Sequence, residues 1–406
     1  MAVEEAASYL KTISFKKATI VHHNDTDGIA SGALLKEALQ REGFQTENIP
    51  LERIHPSFLP KIHTSDRKLI LYADFGGQSA SIIGQHALKG SSIIILDHHP
   101  PYESTFPDLW HINPELFGID GDMSSSAATV TYFFATALNP NNKDLSYLGV
   151  IGAIGDNQIK DGGLTGLNQI AMELALEIGH LSIDREDIQD SFRFCLFKDE
   201  GGTEVGRTIT DLSVNGYYRR GADLAIQVCL KGHTPESMRF CKEMRKIQEN
   251  LFKKERKKIA THGVSIEGDF QWIDVEDRFF PLGLKSIGIF CSEISTLEWI
   301  HPDKYIVGFQ NFPKENPYLG RFEGDETKVS MRVPPALHRA IEEGSMPNLT
   351  DILPKAAEVV GGFSEGCHRY AAACTIHQTK RMDLIQSLQE TMNKRSQGVP
   401  QVVLRQ

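Results

Sequence analysis

Short apolar runs that each end in acidic or histidine residues are the feature of this chain that most constrains its fold. Three such runs are predicted to be buried strands, because they are aliphatic and are bounded by polar residues. They are Ala18–Val21, Leu69–Tyr72 and Ile93–Leu96. Segments with helical periodicity lie between them, such as Gly28–Gln40. Strands that alternate with helices predict an α/β fold with a doubly wound, mainly parallel sheet.

A polar cluster directly follows each of these strands. The clusters are His22–Gly28, Ala73–Asp74 and Asp97–His99, and a fourth acid, Asp156, follows a helical segment. The carboxyl ends of parallel strands meet at one crevice, so these side chains are expected to converge there. Carboxylates brought together without partners would repel one another, and divalent cations relieve that repulsion. The clusters therefore predict a two-metal hydrolase.

Some residues of the clusters also have ordinary structural explanations. Asp27 could cap the helix that follows it, and Asp74 could cap a turn at a strand end. The adjacent His98 and His99 are harder to explain in that way, because each ring carries two nitrogens that would need partners in a core. Mixed carboxylate and imidazole ligands favour Mn²⁺, with Mg²⁺ as the alternative, over metals that prefer thiolates.

Composition sets the broad class of the protein. A length of 406 residues predicts two domains. The formal net charge of -10 argues against a globally basic nucleic-acid binder, but not against an enzyme that holds phosphates on local basic patches. No apolar run approaches the roughly 20 residues that span a bilayer, so no membrane partner is expected. Six cysteines without a CxxC pair fit free thiols and a cytoplasmic location.

The sequence pattern changes along the chain. Residues 1–195 are predicted to form a catalytic domain, 196–262 a helical linker region, 263–380 a smaller α+β domain, and 381–406 a C-terminal helix or tail. Within these segments, the expected helices include 166–193 as two helices broken near Gly179, the basic Pro235–Thr261, and Pro354–Val360. The expected strands of the smaller domain are Ser286–Phe290, Tyr305–Phe309 and Lys328–Val333, while Tyr370–His377 could be a strand or a helix.

The four clusters, in their order along the chain, resemble motifs I to IV of the DHH phosphoesterases, a family named for sequences of the Asp97-His98-His99 type. In the second domain, Gly361–Ala373 resembles the glycine-rich motif of the associated DHHA1 domain, and Lys328–Arg332 is similar to the strand that faces it. The resemblance covers most of residues 15–380. Length and domain order are most similar to those of the archaeal RecJ-like nucleases.

This resemblance implies two sets of metal ligands that share one bridging residue. The first set is His23, Asp25 and Asp74, and the second set is Asp27, Asp74, His98 and Asp156. His99 would face the scissile phosphate as a hydrogen-bond donor or acid, and Asp97 would orient the histidines. His22 has no place in this scheme and is expected to be a neighbour of the site.

The resemblance also implies a substrate-binding surface in the second domain. Its residues would be Ser330, Arg332, Gly361, Gly362, Gly366, His368 and Arg369. Glycines let a backbone approach a phosphate, and histidine and arginine donate hydrogen bonds to it. An alternative is that Gly361 and Gly362 only close a helix. The chain departs from the family pattern at Phe363–Glu365, before Gly366, and at Ala373 where glycine is usual, and a carboxylate at Glu365 would disfavour a phosphate beside it.

The leading functional hypothesis is a Mn²⁺-dependent exonuclease that acts on single-stranded DNA or RNA in DNA repair or replication. Two metal ions would generate a hydroxide and bind the phosphoryl oxygens. Basic residues at Arg219, Arg220 and along 242–258 would contact the nucleic-acid backbone. One alternative is a phosphodiesterase for small substrates, namely a nanoRNase, a cyclic-dinucleotide hydrolase or a nucleotide phosphatase. The other is a scaffold for a helicase or replication factor, which the complete set of ligand positions disfavours as the sole function. Oligomeric state is left open.

Overall fold

The computed structural model describes residues 2–160, 163–184, 190–365 and 367–398. The chain divides into two compact units. Unit 1 comprises residues 1–245 and 317–320, and unit 2 comprises residues 246–316 and 321–406. The finer division into four segments that the sequence suggests stays a prediction.

A parallel sheet of five strands lies at the centre of unit 1, in the order β2-β1-β3-β4-β5. Its strands are β1 (Lys17–His23), β2 (Gln45–Leu51), β3 (Leu69–Ala73), β4 (Ser92–Leu96) and β5 (Leu109–Ile112). The strand order reverses between β1 and β3, and in such sheets ligands bind at that point, outside the carboxyl ends of the strands. The prediction of a doubly wound parallel sheet is confirmed.

The central strands are apolar because both faces of the sheet are covered. Every residue of β3 and β4 is buried, as is typical of strands in a parallel sheet between two layers of helices. In β1, only the terminal Lys17 and His23 are not buried. The apolar runs therefore end where the polar clusters begin.

Helices and a small second sheet complete unit 1. The helices are α1 (Ala2–Thr12), α2 (Thr26–Arg41), α3 (Leu59–Ile62), α4 (Ala80–His86), α5 (Ala127–Leu138), α6 (Ser146–Gly155), α7 (Gly166–Ile178), α8 (Gly202–Thr210) and α9 (Gly221–Lys231). The small antiparallel sheet contains β6 (Leu181–Ile183), β7 (Phe192–Phe194) and β8 (Glu200–Gly201). A 28-residue helix, α10 (Pro235–His262), follows and confirms the helix predicted for this segment.

Unit 2 is built on a mixed sheet of six strands in the order β15-β16-β14-β11-β10-β9. The strands of this unit are β9 (Ser265–Glu267), β10 (Phe270–Asp274), β11 (Tyr305–Asn311), the short pair β12 (Glu315–Asn316) and β13 (Gly320–Arg321), β14 (Glu326–Arg332), β15 (Phe363–Glu365) and β16 (Ala371–His377). Its helices are α11 (Ser286–Ile294), α12 (Pro335–Glu342), α13 (Leu349–Val359) and α14 (Arg381–Gly398). A smaller α+β unit is therefore confirmed, and of the two alternatives for Tyr370–His377 the structure has a strand, which begins at Ala371.

Three local predictions are wrong. Ser286–Phe290 is not a strand but the start of α11, because a short apolar run cannot by its pattern be distinguished from a buried helix. Pro354 lies inside α13 rather than in its first turn, and Asn348 caps that helix with its side chain. The second helix expected beyond Gly179 is replaced by β6 and β7. Gly179 has a left-handed backbone that closes α7.

No helix in the described part of the chain combines the length and hydropathy needed to cross a membrane.

Candidate metal centre

Three overlapping groups of potential ligand atoms lie at the carboxyl end of the parallel sheet. The first group is His23, Asp25 and Asp74, the second is Asp27, Asp74, His98 and Asp156, and the third is Asp74, Asp97, His98 and His99. Within each group the candidate atoms lie within 4.8 Å of one another. The first two groups have the same members as the two ligand sets that the resemblance implies, and their role as ligands stays a prediction.

Asp74 belongs to the first and to the second group, and each of its two carboxylate oxygens faces one of these two groups. Its Oδ2 lies 3.1 Å from His23 Nδ1, while its Oδ1 lies 3.5 Å from His98 Nε2. The residue follows β3 with a left-handed backbone, φ 62°, which is uncommon for a side chain other than glycine but is tolerated by aspartate. Such conformations are concentrated at functional sites. The geometry of Asp74 suits a carboxylate that bridges two cations.

Asp25, rather than Asp27, caps α2. Its Oδ1 accepts a hydrogen bond from Gly28 N at 3.0 Å, while its Oδ2 lies 3.1 Å from His23 Nδ1. One oxygen of Asp25 therefore fixes the start of the helix and the other faces the first group. The cap function that the sequence offered for Asp27 is wrong, because Asp27 lies in the first turn of α2.

The carboxylate of Asp27 is fully buried and held by the start of α5. Its Oδ2 accepts a hydrogen bond from Ala127 N at 2.7 Å, and its Oδ1 accepts one from Ala128 N at 2.9 Å. A helix N-terminus favours negative charge in this position. Gly152 of α6 makes room for this carboxylate, since an added Cβ would lie 2.1 Å from Asp27 Oδ1.

The ring of His98 is oriented by a backbone carbonyl. Its Nδ1 donates a hydrogen bond to Gly121 O at 2.8 Å, so the lone pair of a neutral ring is on Nε2. This Nε2 lies 3.1 Å from Asp156 Oδ2 and 4.0 Å from Asp27 Oδ2, yet it is buried and has no aligned hydrogen-bond partner. A buried lone pair directed at carboxylates is what a cation between them would use.

The electrostatics of the second group, which is Asp27, Asp74, His98 and Asp156, also fit a cation. Burial first, and then the neighbouring carboxylates, raise the pKa values of Asp27 and Asp74 well above those of exposed aspartates. Burial lowers the pKa of His98, but the carboxylates of Asp156 and Asp74 outweigh it and raise that pKa overall. A divalent cation would offset the burial and the mutual repulsion that raise the pKa values of these carboxylates.

Both carboxylate oxygens of Asp97 already accept hydrogen bonds. Its Oδ1 accepts hydrogen bonds from His98 N at 2.9 Å and from His99 Nδ1 at 2.8 Å, and its Oδ2 accepts one from Gly77 N at 2.8 Å. Burial would raise the pKa of Asp97, but the His99 ring and these hydrogen bonds lower it well below the ordinary range. Asp97 therefore remains a carboxylate and orients the ring of His99 through its Nδ1.

His22 lies beside the site. The His22 side chain is fully buried and its ring packs against Gly32, while its Nδ1 donates a hydrogen bond to His23 O at 2.8 Å. Burial lowers the pKa of His22 to about 4, so the ring is neutral.

The structure also shows residues of the site that the sequence did not reveal. Gly77, Gly121, Ala127, Ala128 and Gly152 act through backbone groups or through the absence of a side chain. The serine-rich opening Ser124–Ser126 was the available signal for α5, because it marks a helix N-terminus whose N–H groups need acceptors.

In unit 2, the predicted substrate residues are only partly brought together. The backbone of Arg332 pairs with Ala371, and His368 N donates to Ala371 O at 2.8 Å. Gly362 instead packs against Thr375 O, which is about 13 Å from Ala371 along β16. Gly361 has a left-handed backbone.

The remaining predicted residues of unit 2 differ in exposure. Ser330 is buried in β14, whereas His368 and Arg369 are exposed. Arg332 donates from Nε to Ser292 Oγ at 2.9 Å, and burial lowers the pKa of its guanidinium. Gly366 lies outside the described residues.

Comparison with known proteins finds a family that matches part of this chain. Residues 17–152 match the family described as "DHH family, N-terminal domain". The matched residues, about a third of the chain, include the first three polar clusters, so the resemblance of these clusters to the DHH family is confirmed.

An uncharacterized protein of Methanocaldococcus jannaschii is 29% identical over 185 residues, which is 44% of this chain and 41% of the relative. The structure of RecJ in complex with Mn²⁺ from Thermus thermophilus is similar with a TM-score of 0.62 at 18% identity, over 97% of this chain and 55% of that chain. A structure of exonuclease RecJ bound to manganese gives a TM-score of 0.58 at 16% identity, over 98% and 95% of the two chains. The chain thus shares the fold of these RecJ structures, and its match spans less than two thirds of the length of the first two proteins.

Proposed function

We propose that this protein is a metal-dependent phosphodiesterase of the DHH type, and specifically an exonuclease on single-stranded DNA or RNA. The observation that carries the proposal is the position of Asp74, whose two oxygens face two separate groups of ligand atoms. Ions that share one carboxylate are the arrangement of two-metal hydrolases of phosphate esters. A hydrolase of the DHH type is also what the family match favours.

The proposal gives each residue of the site in unit 1 a role. One cation would be held by His23, Asp25 and Asp74, and the other by Asp27, Asp74, His98 and Asp156. Two divalent cations bound there would supply an activated water and neutralise charge at the phosphoryl group. His99, held at Nδ1 by Asp97, would donate from Nε2 to the phosphate. Burial lowers the pKa of His99, but Asp97 contributes to raising it overall, which favours the donating form.

Mn²⁺ is proposed as the preferred ion, with Mg²⁺ as the alternative. The donor set combines imidazole nitrogen with carboxylate oxygen, which suits Mn²⁺ better than Mg²⁺. Two RecJ structures that share the fold contain manganese, which supports the choice.

Single-stranded nucleic acid is the proposed substrate class. The exposed face of α10 carries Arg239, Lys242, Lys246, Lys253 and Lys257 at helical spacing. Such a row suits a phosphate backbone and would make binding weaken with salt. In unit 2, Ser330, Arg332, Gly361, Gly362, Gly366, His368 and Arg369 are the proposed phosphate contacts. A place in DNA repair or replication, a helicase or replication-factor partner and a cytoplasmic location belong to the same proposal.

The test uses purified full-length protein with Mn²⁺ and single strands of DNA and RNA labelled at the 5′ or 3′ end. We expect products that shorten progressively from one end. The matched control is Asp74→Asn, since asparagine also tolerates the left-handed backbone but lacks the bridging charge. Absence of metal-dependent cleavage of every strand would refute the proposal, and equal cleavage by Asp74→Asn would refute the assignment of the site.

A second candidate is a phosphodiesterase for very short substrates. It is favoured because both arginines that the sequence offered as backbone contacts already have partners within unit 1. Arg219 pairs with Glu243 at 2.7 Å, and Arg220 pairs with Asp223 at 2.9 Å. Dinucleotides and cyclic dinucleotides offered beside 20-nucleotide strands would separate the two candidates. A higher kcat/KM on the dinucleotides would select the second one.

A further inference from the structure

A buried chain of hydrogen bonds connects α7 to the ring of His98. Asn168 Nδ2 donates to Gln158 Oε1 at 2.6 Å, and Gln158 Nε2 donates to Gly121 O at 2.9 Å. The same carbonyl accepts the hydrogen bond from His98 Nδ1. Asn168, Gln158 and His98 are 0%, 1% and 4% exposed. Neither amide belongs to the four motifs, and neither has a place in the proposed chemistry.

The other end of the Asn168 amide leads to Asp27. Its Oδ1 accepts hydrogen bonds from Ser126 N at 2.9 Å and from Thr129 Oγ1 at 2.7 Å. Ser126 caps α5, and the next two N–H groups of that helix hold the Asp27 carboxylate. A single side chain therefore supports two members of the second group of ligand atoms.

The direction of this chain is fixed by the backbone groups at its two ends. Ser126 N can only donate, so the oxygen of Asn168 must face it and the nitrogen must face Gln158. Gly121 O can only accept, so the nitrogen of Gln158 must face Gly121 and its oxygen must face Asn168. Both amides thus have one satisfied orientation, and Gly121 O requires the proton of a neutral His98 ring to be on Nδ1.

The end of α6 explains how Gln158 reaches this position. Gln158 N donates a hydrogen bond to Ala153 O at 2.9 Å. The preceding residue, Asn157, has a left-handed backbone with φ 57°. This is the Schellman ending of a helix, with asparagine at the left-handed position. The turn places Asp156 in the second group of ligand atoms and Gln158 under the carbonyl that orients His98.

We propose that Asn168 and Gln158 are positioning residues of the metal centre, which fix the Nδ1–H tautomer of His98 and the hold of α5 on Asp27. The proposal rests on the proposed function in assuming that the second group binds a divalent cation. Groups that orient metal ligands from behind typically contribute 10–100-fold to metal affinity. Asn168 and Gln158 are expected to set the affinity for the ion of the second group and to leave that of the first unchanged.

Binding of Mn²⁺ alone, measured by titration calorimetry on the full chain, tests this expectation. Asn168→Asp keeps the acceptor for Ser126 but loses the donor for Gln158, and Gln158→Glu loses the donor for Gly121. We expect each variant to weaken one of two binding events about 10–100-fold. Gln169→Glu makes a matched change on the exposed side of α7 and should bind as the wild type does. Wild-type affinity for both ions in folded Asn168→Asp and Gln158→Glu would overturn the proposal.

A second measurement needs no metal and no variant of Asn168 or Gln158. Long-range ¹⁵N–¹H spectra of the metal-free protein, with the His98 signals assigned by comparison with His98→Gln, report which ring nitrogen carries the proton. The proposal predicts a neutral ring protonated at Nδ1 or a ring protonated at both nitrogens, and a neutral ring protonated at Nε2 would overturn it. If the tautomer is as predicted but no Mn²⁺ binds, the proposed function fails while this reading of the hydrogen bonds stands.

Discussion

Substitution of Gly152 by alanine tests how tightly the second group is built. The added Cβ would lie 2.1 Å from Asp27 Oδ1 and 2.4 Å from Ala128 Cβ. Neither neighbour is the free end of a flexible side chain, since the Asp27 carboxylate is bonded to α5 at both oxygens. The carboxylate would have to move by about 1 Å to reach an ordinary contact distance.

The magnitude follows from the bonds that this shift breaks. Loss of one hydrogen bond to the charged carboxylate costs about 1.5–3 kcal/mol. The higher helix propensity of alanine relative to glycine offsets about 1 kcal/mol of this loss. We therefore expect Gly152→Ala to lower the free energy of unfolding of unit 1 by about 0.5–2 kcal/mol and to weaken Mn²⁺ binding at least about tenfold.

Gly149→Ala is the matched control, one turn earlier in α6. Its Cβ would meet Ala171 Cβ and Thr129 Oγ1 at 3.3 Å, which small adjustments relieve, and it gains the same helix propensity. Thermal unfolding with and without Mn²⁺, together with calorimetric titration, compares the two variants. Equal Mn²⁺ affinity in Gly152→Ala and Gly149→Ala would refute the reasoning that Gly152 exists to seat the Asp27 carboxylate.

Three further predictions concern chemistry, protons and salt. His99→Gln should lower the rate of cleavage about 10²–10⁴-fold while the calorimetric Mn²⁺ affinity stays unchanged, and a parallel loss of affinity would make His99 a ligand instead. Because the pKa values of Asp27 and Asp74 are raised, protons compete with the cation for these carboxylates, so Mn²⁺ affinity should fall as pH falls and Mn²⁺ binding should release protons. Calorimetric titration in two buffers of different ionisation enthalpy measures this release, and an Mn²⁺ affinity that does not depend on pH would contradict the prediction. Lys253→Gln combined with Lys257→Gln should weaken binding of single strands and make its dependence on salt less steep, and an unchanged salt slope in fluorescence anisotropy would exclude this face of α10 as a contact.

The sequence predicted the parallel sheet and the convergence of its polar clusters because both depend on local pattern. Aliphatic runs that alternate with helical segments are typical of strands buried on both faces, as in Ile93–Leu96. The acids that follow such strands can go only to the carboxyl edge of the sheet. The pattern therefore predicts that the polar clusters converge, whereas the two sets of ligands are what the resemblance to the DHH phosphoesterases implies.

What the sequence could not predict depends on contacts between distant segments. Asn168 lies ten residues beyond Gln158 and 42 beyond Ser126, and its spacing carries no signal of either bond. The packing of Gly152 against Asp27 depends on how α2 and α6 meet. Ser286–Phe290 was misread as a strand for a related reason, since an apolar run of that length fits either type of buried element.

The central claim is that Asp74 bridges two cations, and crystals grown with Mn²⁺ test it most directly by anomalous scattering at the manganese edge. The account predicts two peaks about 3.5–4 Å apart, one within His23, Asp25 and Asp74 and the other within Asp27, Asp74, His98 and Asp156. In Asp74→Asn crystals at least one of these peaks should be lost. Two full peaks in Asp74→Asn, or no peak at this end of the sheet in the wild type, would contradict the account.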